Sequence, residues 1–295
     1  MNEITRKSKP LWAQWLFVFG WLAVIVGLSS IGDGSDDSKV AEGLTPGVMR
    51  FSAVFQDILI FISPVIVYAF LFRSERFSLL TLGKRIHPLW FLSAIFVVFF
   101  SLPLVSWLGE INSEIKIPAS LHSMEDWMKT KETAGSKMTE LLLADRTTVG
   151  IISNILVMAL LAAFSEELFF RGMMQRLLID TKINAHVAIW ITAIIFSAIH
   201  MQFYGFFPRM VLGAFLGYLF YFTGSLWISI IAHFLNNALY VAISYFSEET
   251  KVNPLEKSPE DPDMQISWSM AALSAMLVIG VFIFLKRMNP KEEMT

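Results

Sequence analysis

Eight stretches of mainly apolar residues constrain this 295-residue chain more than any other feature of its sequence. A helix needs about 20 such residues to cross the ~30 Å hydrocarbon core of a bilayer. Only 16% of the residues are charged, against roughly 25% in ordinary soluble domains. We therefore predict an all-α, polytopic transmembrane bundle of about eight spanning helices, forming a single membrane domain over residues 1–295. The predicted spans are 11–31, 51–72, 88–109, 148–171, 186–204, 208–223, 226–246 and 267–285.

Composition also excludes several classes of protein. The chain has no cysteine and a net charge of −2. The lack of cysteine excludes disulfides, cysteine nucleophiles, thiolate zinc sites and a lipidated cysteine. The balanced charge gives no indication of a nucleic-acid partner. The first apolar stretch is 21 residues long, which exceeds the ~7–15 residues of a signal-peptide core, so we predict that it is retained as a span.

Lysine and arginine in the connecting segments predict the orientation, because they are enriched on the cytoplasmic side. Segment 73–87 carries four basic residues, whereas 32–50 carries two basic and four acidic residues, and 247–266 carries two basic and six acidic residues. We therefore predict an integral protein of the plasma (inner) membrane with both termini in the cytoplasm.

The longest polar stretch, residues 110–147, mixes charges with apolar residues such as Trp127 and Leu141. This pattern is typical of amphipathic helices that lie along the interface or cap a bundle. A solvated linker with some helix fits the composition equally well. Residues 254–263 form an acidic, Pro-rich loop, and Pro64 and Pro103 predict kinks in the second and third spans.

Very few charges remain inside the spans, and two of them are adjacent glutamates. A charge at mid-bilayer costs at least ~2.5–3.5 kcal/mol on insertion scales. Glu167 can pair with Arg171 four residues on, on the same helix face. Glu166 points roughly 100° away and needs a partner of its own. These two glutamates are therefore the strongest indication of a functional site.

Two other spans offer polar partners for Glu166. His200 follows Phe196 by one helical turn, and Asn237 follows His233 by one turn. One shared polar site explains these buried groups better than a separate, unrelated role for each of them. His200 lies deep in the fifth span, however, whereas Glu166 lies near the inner end of the fourth, so the predicted span boundaries conflict. The other ionisable groups in the spans are expected to serve packing or the interfaces: Asp57, His186 and Arg209.

These motifs resemble those of a known family. Glu166-Glu167-x-x-x-Arg171, Phe196-x-x-x-His200 and His233-x-x-x-Asn237 are similar, in this order, to the signature motifs of the CAAX prenyl protease and bacteriocin-processing family. That family comprises intramembrane glutamate proteases related to the type II CAAX endopeptidase. The resemblance covers the motif-bearing core, residues 148–246.

The resemblance implies an eight-helix bundle around a polar intramembrane cavity that opens toward the cytoplasm. It implies an endopeptidase that hydrolyses a membrane-associated protein or peptide with activated water and without a cofactor. Carried over by position, Glu166 is the base and His200 its partner, and His233 and Asn237 stabilise the oxyanion. Glu167 and Arg171 match the motif as supporting residues. The resemblance does not carry over the substrate, nor imply that it is prenylated.

Three alternatives remain open. A zinc protease would use Glu166, His200 and His233 as metal ligands, which are legitimate zinc donors, although the chain has no HExxH motif. A transporter would use the same groups as a proton relay, but the sequence shows no internal repeat. A non-catalytic scaffold or immunity-type membrane protein could share the fold, because fold alone does not settle function.

Overall fold

A computed structural model describes residues 10–30, 45–72, 87–246 and 266–288 of the chain. All regular elements among these residues are helical, and the described ranges contain no strand. A short 3₁₀ turn, Ala119–Leu121, precedes α4. The helices are α1 Leu11–Ser30, α2 Pro46–Phe72, α3 Pro88–Ser113, α4 His122–Leu143, α5 Thr148–Asp180, α6 Ala185–Ala198, α7 Phe206–Thr223, α8 Leu226–Phe246 and α9 Trp268–Met288.

Six of these helices are long and apolar enough to cross a membrane, namely α2, α3, α5, α7, α8 and α9. Two shorter apolar helices, in α1 and α6, accompany them. The prediction of an all-α polytopic bundle is thus confirmed. The acidic segment 254–263 lies outside the described residues.

The boundary predicted for the fourth span is wrong at its C-terminal end. The apolar pattern stops near Arg171, but α5 continues to Asp180 and is 33 residues long. Glu166 therefore lies about four turns before the end of α5, and His200 lies about four turns after the start of α6. Because α5 and α6 run in opposite directions, the two side chains come to a similar depth, and the conflict between the predicted spans disappears.

Contacts between helices show that the chain alternates in direction. Tyr68 on α2 donates a 2.5 Å hydrogen bond to Gln14 on α1, and the backbone amide of Ile266, just before α9, donates to Glu110 near the end of α3 at 3.3 Å. The start of α1 and the end of α9 consequently lie on the same side of the bundle, called here the termini side. The opposite side carries α4 and is called the cap side.

Residues 122–143 form one amphipathic helix, α4, on the cap side. The ring of Trp127 lies 5.2 Å from that of Phe203, and Glu132 accepts a 3.2 Å hydrogen bond from the backbone amide of Tyr204. Further along, the carbonyl of Leu142 accepts a 2.6 Å hydrogen bond from Asn154 of α5. α4 therefore contacts both the turn that follows α6 and the start of α5, so it covers this end of the bundle.

α9 is tied to the backbone of α3 beside a proline. Pro103 lies inside α3, and next to it the hydroxyl of Ser274 accepts a 3.2 Å hydrogen bond from the amide of Leu104 and donates to the carbonyl of Phe100. In an α-helix these two backbone groups bond each other across one turn. A side chain of α9 thus shares the hydrogen-bonding groups of one turn of α3, next to a residue that has no N–H to donate.

Replacing Ser274 with alanine should lower the free energy of unfolding by about 1–3 kcal/mol, because two hydrogen bonds between α9 and α3 are lost. Ser269→Ala on the exposed face of α9 makes the same chemical change and is the matched control, with an expected effect within ~0.5 kcal/mol. Unfolding midpoints of the purified proteins in detergent measure the difference. Equal midpoints for the two variants would show that the Ser274 hydroxyl does not stabilise the α3–α9 contact.

Candidate active site

A buried ion pair lies at the centre of the polar cluster. Glu167 accepts a 2.5 Å hydrogen bond from Arg171 one turn further along α5, as the spacing predicts, and both side chains are fully buried. Arg171 also donates at 2.7 Å to the backbone carbonyl of Gly213 on α7. A Cβ on Gly213 would lie 3.1 Å from the ring of Phe196, so glycine there allows the close approach that brings α7 to the arginine.

Glu167 also orients the first of two histidines. Its Oε1 lies 2.9 Å from Nδ1 of His233 on α8. A carboxylate can only accept, so the His233 proton is assigned to Nδ1, and Nε2 is left pointing the other way. That Nε2 lies 3.8 Å from Oε2 of Glu166.

The second histidine is held in the same manner. Nδ1 of His200 lies 2.7 Å from the backbone carbonyl of Phe196, which again assigns the proton to Nδ1. Its Nε2 lies 4.0 Å from the same Glu166 Oε2. Two histidines, one in the turn after α6 and one on α8, therefore aim the same ring nitrogen at one carboxylate oxygen.

Glu166 Oε2 is buried and accepts no hydrogen bond from the described side chains and backbone. Its distances to the two Nε2 atoms, 3.8 and 4.0 Å, exceed those of direct hydrogen bonds. Polar atoms at such separations are commonly bridged by one small polar group such as a water molecule. The geometry is therefore that of a carboxylate oxygen and two imidazole nitrogens facing one another at separations that a single water molecule can bridge.

Phe196 organises the cluster in a way that the sequence did not reveal. Its ring lies edge-on to His200 at 4.9 Å and to His233 at 5.8 Å. The guanidinium of Arg171 lies 4.9 Å from the same ring centroid, within the range of a cation–π interaction. This one side chain therefore packs against the arginine and both imidazoles.

Asn237 lies one turn beyond His233 on α8, but the structure does not bring it into direct contact with Glu166 or either histidine. Its amide donates a long, 3.4 Å hydrogen bond to the carbonyl of Met158. Met158 belongs to a π-helical segment of α5, Ile155–Leu161, and a second such segment, Leu168–Gln175, begins directly after Glu167. π-helical turns occur frequently at functional sites, and here they flank the glutamate pair.

Two charged residues expected to serve packing or the interfaces lie beside the site instead. Asp57 on α2 is within hydrogen-bonding reach of Ser165 and is close enough to Glu166 for their charges to interact. Arg209 on α7 is close enough to act electrostatically on Glu166 as well. Both residues are charged and lie inside predicted spans, which is the property that identified Glu166. Only their positions near the ends of those spans argued against a role in the site.

Arg209 is held at the cap-side edge of the site. It donates hydrogen bonds to the side chain and the backbone carbonyl of Gln202, at 2.6 and 3.3 Å. His186, in contrast, lies apart from the cluster at the start of α6, where its Nδ1 is 3.1 Å from the hydroxyl of Tyr218. His186 therefore lies where it packs against α7, and Arg209 lies at the edge of the bundle beside the site.

Histidine and carboxylate side chains can also bind a metal ion. Within residues 10–30, 45–72, 87–246 and 266–288, no group of three His, Asp or Glu side chains is arranged to hold a metal ion. The set Glu166, His200 and His233 converges on one point, but at the spacing described above it does not form a ligand set.

Comparison with known proteins identifies the segment that contains this cluster. Residues 148–239 match the family model described as Type II CAAX prenyl endopeptidase Rce1-like. This segment of the chain is Rce1-like. The Rce1-like segment runs from the start of α5 into α8 and contains the following residues: Glu166, Glu167, Arg171, His200, His233 and Asn237.

The chain is also similar to a curated protein. The chain is 26% identical over 140 residues to the uncharacterized protein YpbD of Bacillus subtilis (strain 168), a match that covers 46% of this chain and 67% of YpbD. No solved structure matches the chain significantly. The Rce1-like segment thus points to a protease of the membrane at the level of the family.

Proposed function

We propose that this protein is an intramembrane endopeptidase that hydrolyses a peptide bond in a membrane-associated protein or peptide, with water activated by Glu166 and His200. The convergence of both histidine Nε2 atoms on one oxygen of Glu166 carries this proposal. The Rce1-like segment supports the same class of reaction.

In the proposed reaction, a water molecule lies between Glu166 Oε2 and His200 Nε2. Glu166 accepts a proton from the water as its oxygen attacks the carbonyl carbon, and the carbonyl oxygen becomes an oxyanion. The same proton then passes to the leaving nitrogen as the C–N bond breaks. The second proton of the water stays on the new carboxyl group and passes to the amine, so the products are a carboxylate and an ammonium group, and atoms and charges balance without another reactant. Such a general base typically contributes ~10²–10⁴-fold to the rate.

The oxyanion needs donors that are already in place. Protonated His233 can donate from Nε2 while Glu167 holds Nδ1, so Glu167 acts as a positioning residue. Asn237 is the second proposed donor. Its present hydrogen bond to Met158, at 3.4 Å, is near the limit for such a bond, so little is lost when the amide turns to a substrate oxygen.

Asn237→Ala should lower kcat by about 10²–10³, the typical cost of removing one oxyanion donor. KM should change much less, because this interaction forms mainly in the transition state. Gln56→Ala removes an exposed side-chain amide on α2 and serves as the control, with activity close to wild type. Equal activities for the two variants would remove Asn237 from the mechanism.

A peptidase assay in the presence of a zinc chelator tests the proposal against its alternatives. The purified wild-type protein should cleave members of a library of membrane-inserted peptides at a rate that chelation does not change. Loss of cleavage on chelation and its recovery with zinc would favour the zinc protease with Glu166, His200 and His233 as ligands. Failure to cleave any peptide, together with identical peptide profiles in cells with and without Glu166, would favour the scaffold.

A further inference from the structure

We propose, building on the proposed endopeptidase, that the site opens to the extracytoplasmic side of the membrane. The substrate class would then be exported polypeptides that stay anchored in the membrane and present the scissile bond outside the cytoplasm. Two observations lead to this inference: the side of the bundle toward which the site is partly exposed, and the distribution of basic residues between the two sides.

The site is accessible from the cap side. His200 lies in the turn after α6, and its side chain is 27% exposed, against 7% for His233. That turn is in contact with α4, which is amphipathic and not a span. Toward the termini side, α5 continues into densely packed apolar side chains that are at most 1% exposed: Phe169, Phe170, Met173, Met174 and Leu177. The partly exposed edge of the cluster therefore faces the cap, and its densely packed edge faces the termini side.

The termini side carries most of the basic charge. Segments 1–10, 73–87, 172–185 and 286–295 contain twelve basic and five acidic residues. The cap-side segments 32–50, 110–147 and 247–266 contain nine basic and seventeen acidic residues, and five of those nine lie in the single segment that includes α4. Since Lys and Arg in short segments near span ends stay in the cytoplasm, the termini side is cytoplasmic.

With these observations, two predictions made from the sequence become incompatible. Cytoplasmic termini follow from the basic residues, and a cytoplasmic opening follows from the family resemblance. In this bundle the site opens away from the termini, so both cannot hold. The distribution of basic residues belongs to this chain itself and therefore decides the side.

Single-cysteine labelling tests the orientation independently of any activity, and the cysteine-free chain provides a clean background. Ser123→Cys places a thiol at the exposed start of α4, and Lys182→Cys places one on the termini side, between α5 and α6. In intact bacterial spheroplasts, a membrane-impermeant maleimide should label the first variant and leave the second unlabelled until the membrane is permeabilised. The reverse pattern would overturn the proposal.

A comparison of protein termini tests the substrate class. Cells that express wild type or Glu166→Gln should differ in new peptide ends, and these ends should map to extracytoplasmic segments of membrane-anchored proteins. New ends on cytoplasmic segments would overturn the proposal. If no ends differ while the labelling pattern is as expected, the proposed protease activity fails and the orientation stands.

Discussion

Glu166→Gln is expected to lower kcat by about 10²–10⁴ while leaving the fold intact. Glutamine has nearly the same shape, but its amide cannot accept the proton of the attacking water, so the contribution of the general base is lost. The altered oxygen, Oε2, accepts no hydrogen bond from the described part of the protein, so the substitution breaks no structural contact there. Peptide cleavage and the unfolding midpoint of the same preparation measure the two effects separately.

Two further variants make this result decisive. Glu140→Gln introduces the same chemical change at an exposed position of α4 and should keep activity within about twofold. His200→Gln should resemble Glu166→Gln, and the double variant should lose little more than either single variant, because residues that act as one unit are not additive. Wild-type activity in Glu166→Gln would disprove the assignment of the base.

Arg171→Met should reduce the free energy of unfolding by about 3–5 kcal/mol, because removing one partner of a buried ion pair leaves the other charge uncompensated. Glu167 would then keep only His233 as a partner, and the carbonyl of Gly213 would lose its donor from α5. Thermal unfolding of the purified protein in detergent measures the loss. A variant as stable as wild type would show that the pair does not stabilise the bundle.

Two companion substitutions separate charge from geometry at this position. Arg171→Lys keeps the positive charge but lacks the fork that reaches Glu167 and Gly213 together, so an intermediate loss is expected. Arg171→Met combined with Glu167→Gln removes both charges and should recover part of the stability lost in the single variant. If the double variant is no more stable than Arg171→Met, the buried charge on Glu167 is not the cause of the loss.

Apolar periodicity and the cost of buried charge were enough to predict the class of fold and to find the glutamate pair. The stretches of about 20 apolar residues predicted the spans, since the thickness of a bilayer sets their length. The Glu167–Arg171 pair followed from helical spacing alone. Both inferences rest on local sequence, where the physical constraint acts within a few turns of one helix.

What the sequence could not show depends on contacts between distant segments. α5 continues past Arg171 because its polar side chains find carbonyl partners on α7: Gln175 donates to Gly217 at 3.1 Å, as Arg171 does to Gly213. Without knowledge of those partners, the apolar pattern of the sequence predicts that the span ends near Arg171. The approach of Asp57 and Arg209 to Glu166, and the central position of Phe196, likewise depend on how the helices pack.

The hydrogen bonds from Ser274 to α3 also bear on biogenesis. α9 is the last of the described helices to leave the ribosome, so before it arrives the amide of Leu104 and the carbonyl of Phe100 can bond each other across one turn of α3. Pro103, beside them, has no N–H to donate, so this turn of α3 already lacks one backbone hydrogen bond. The arrival of α9 adds the serine hydroxyl as a further partner for both groups and completes the hydrogen bonding of that turn.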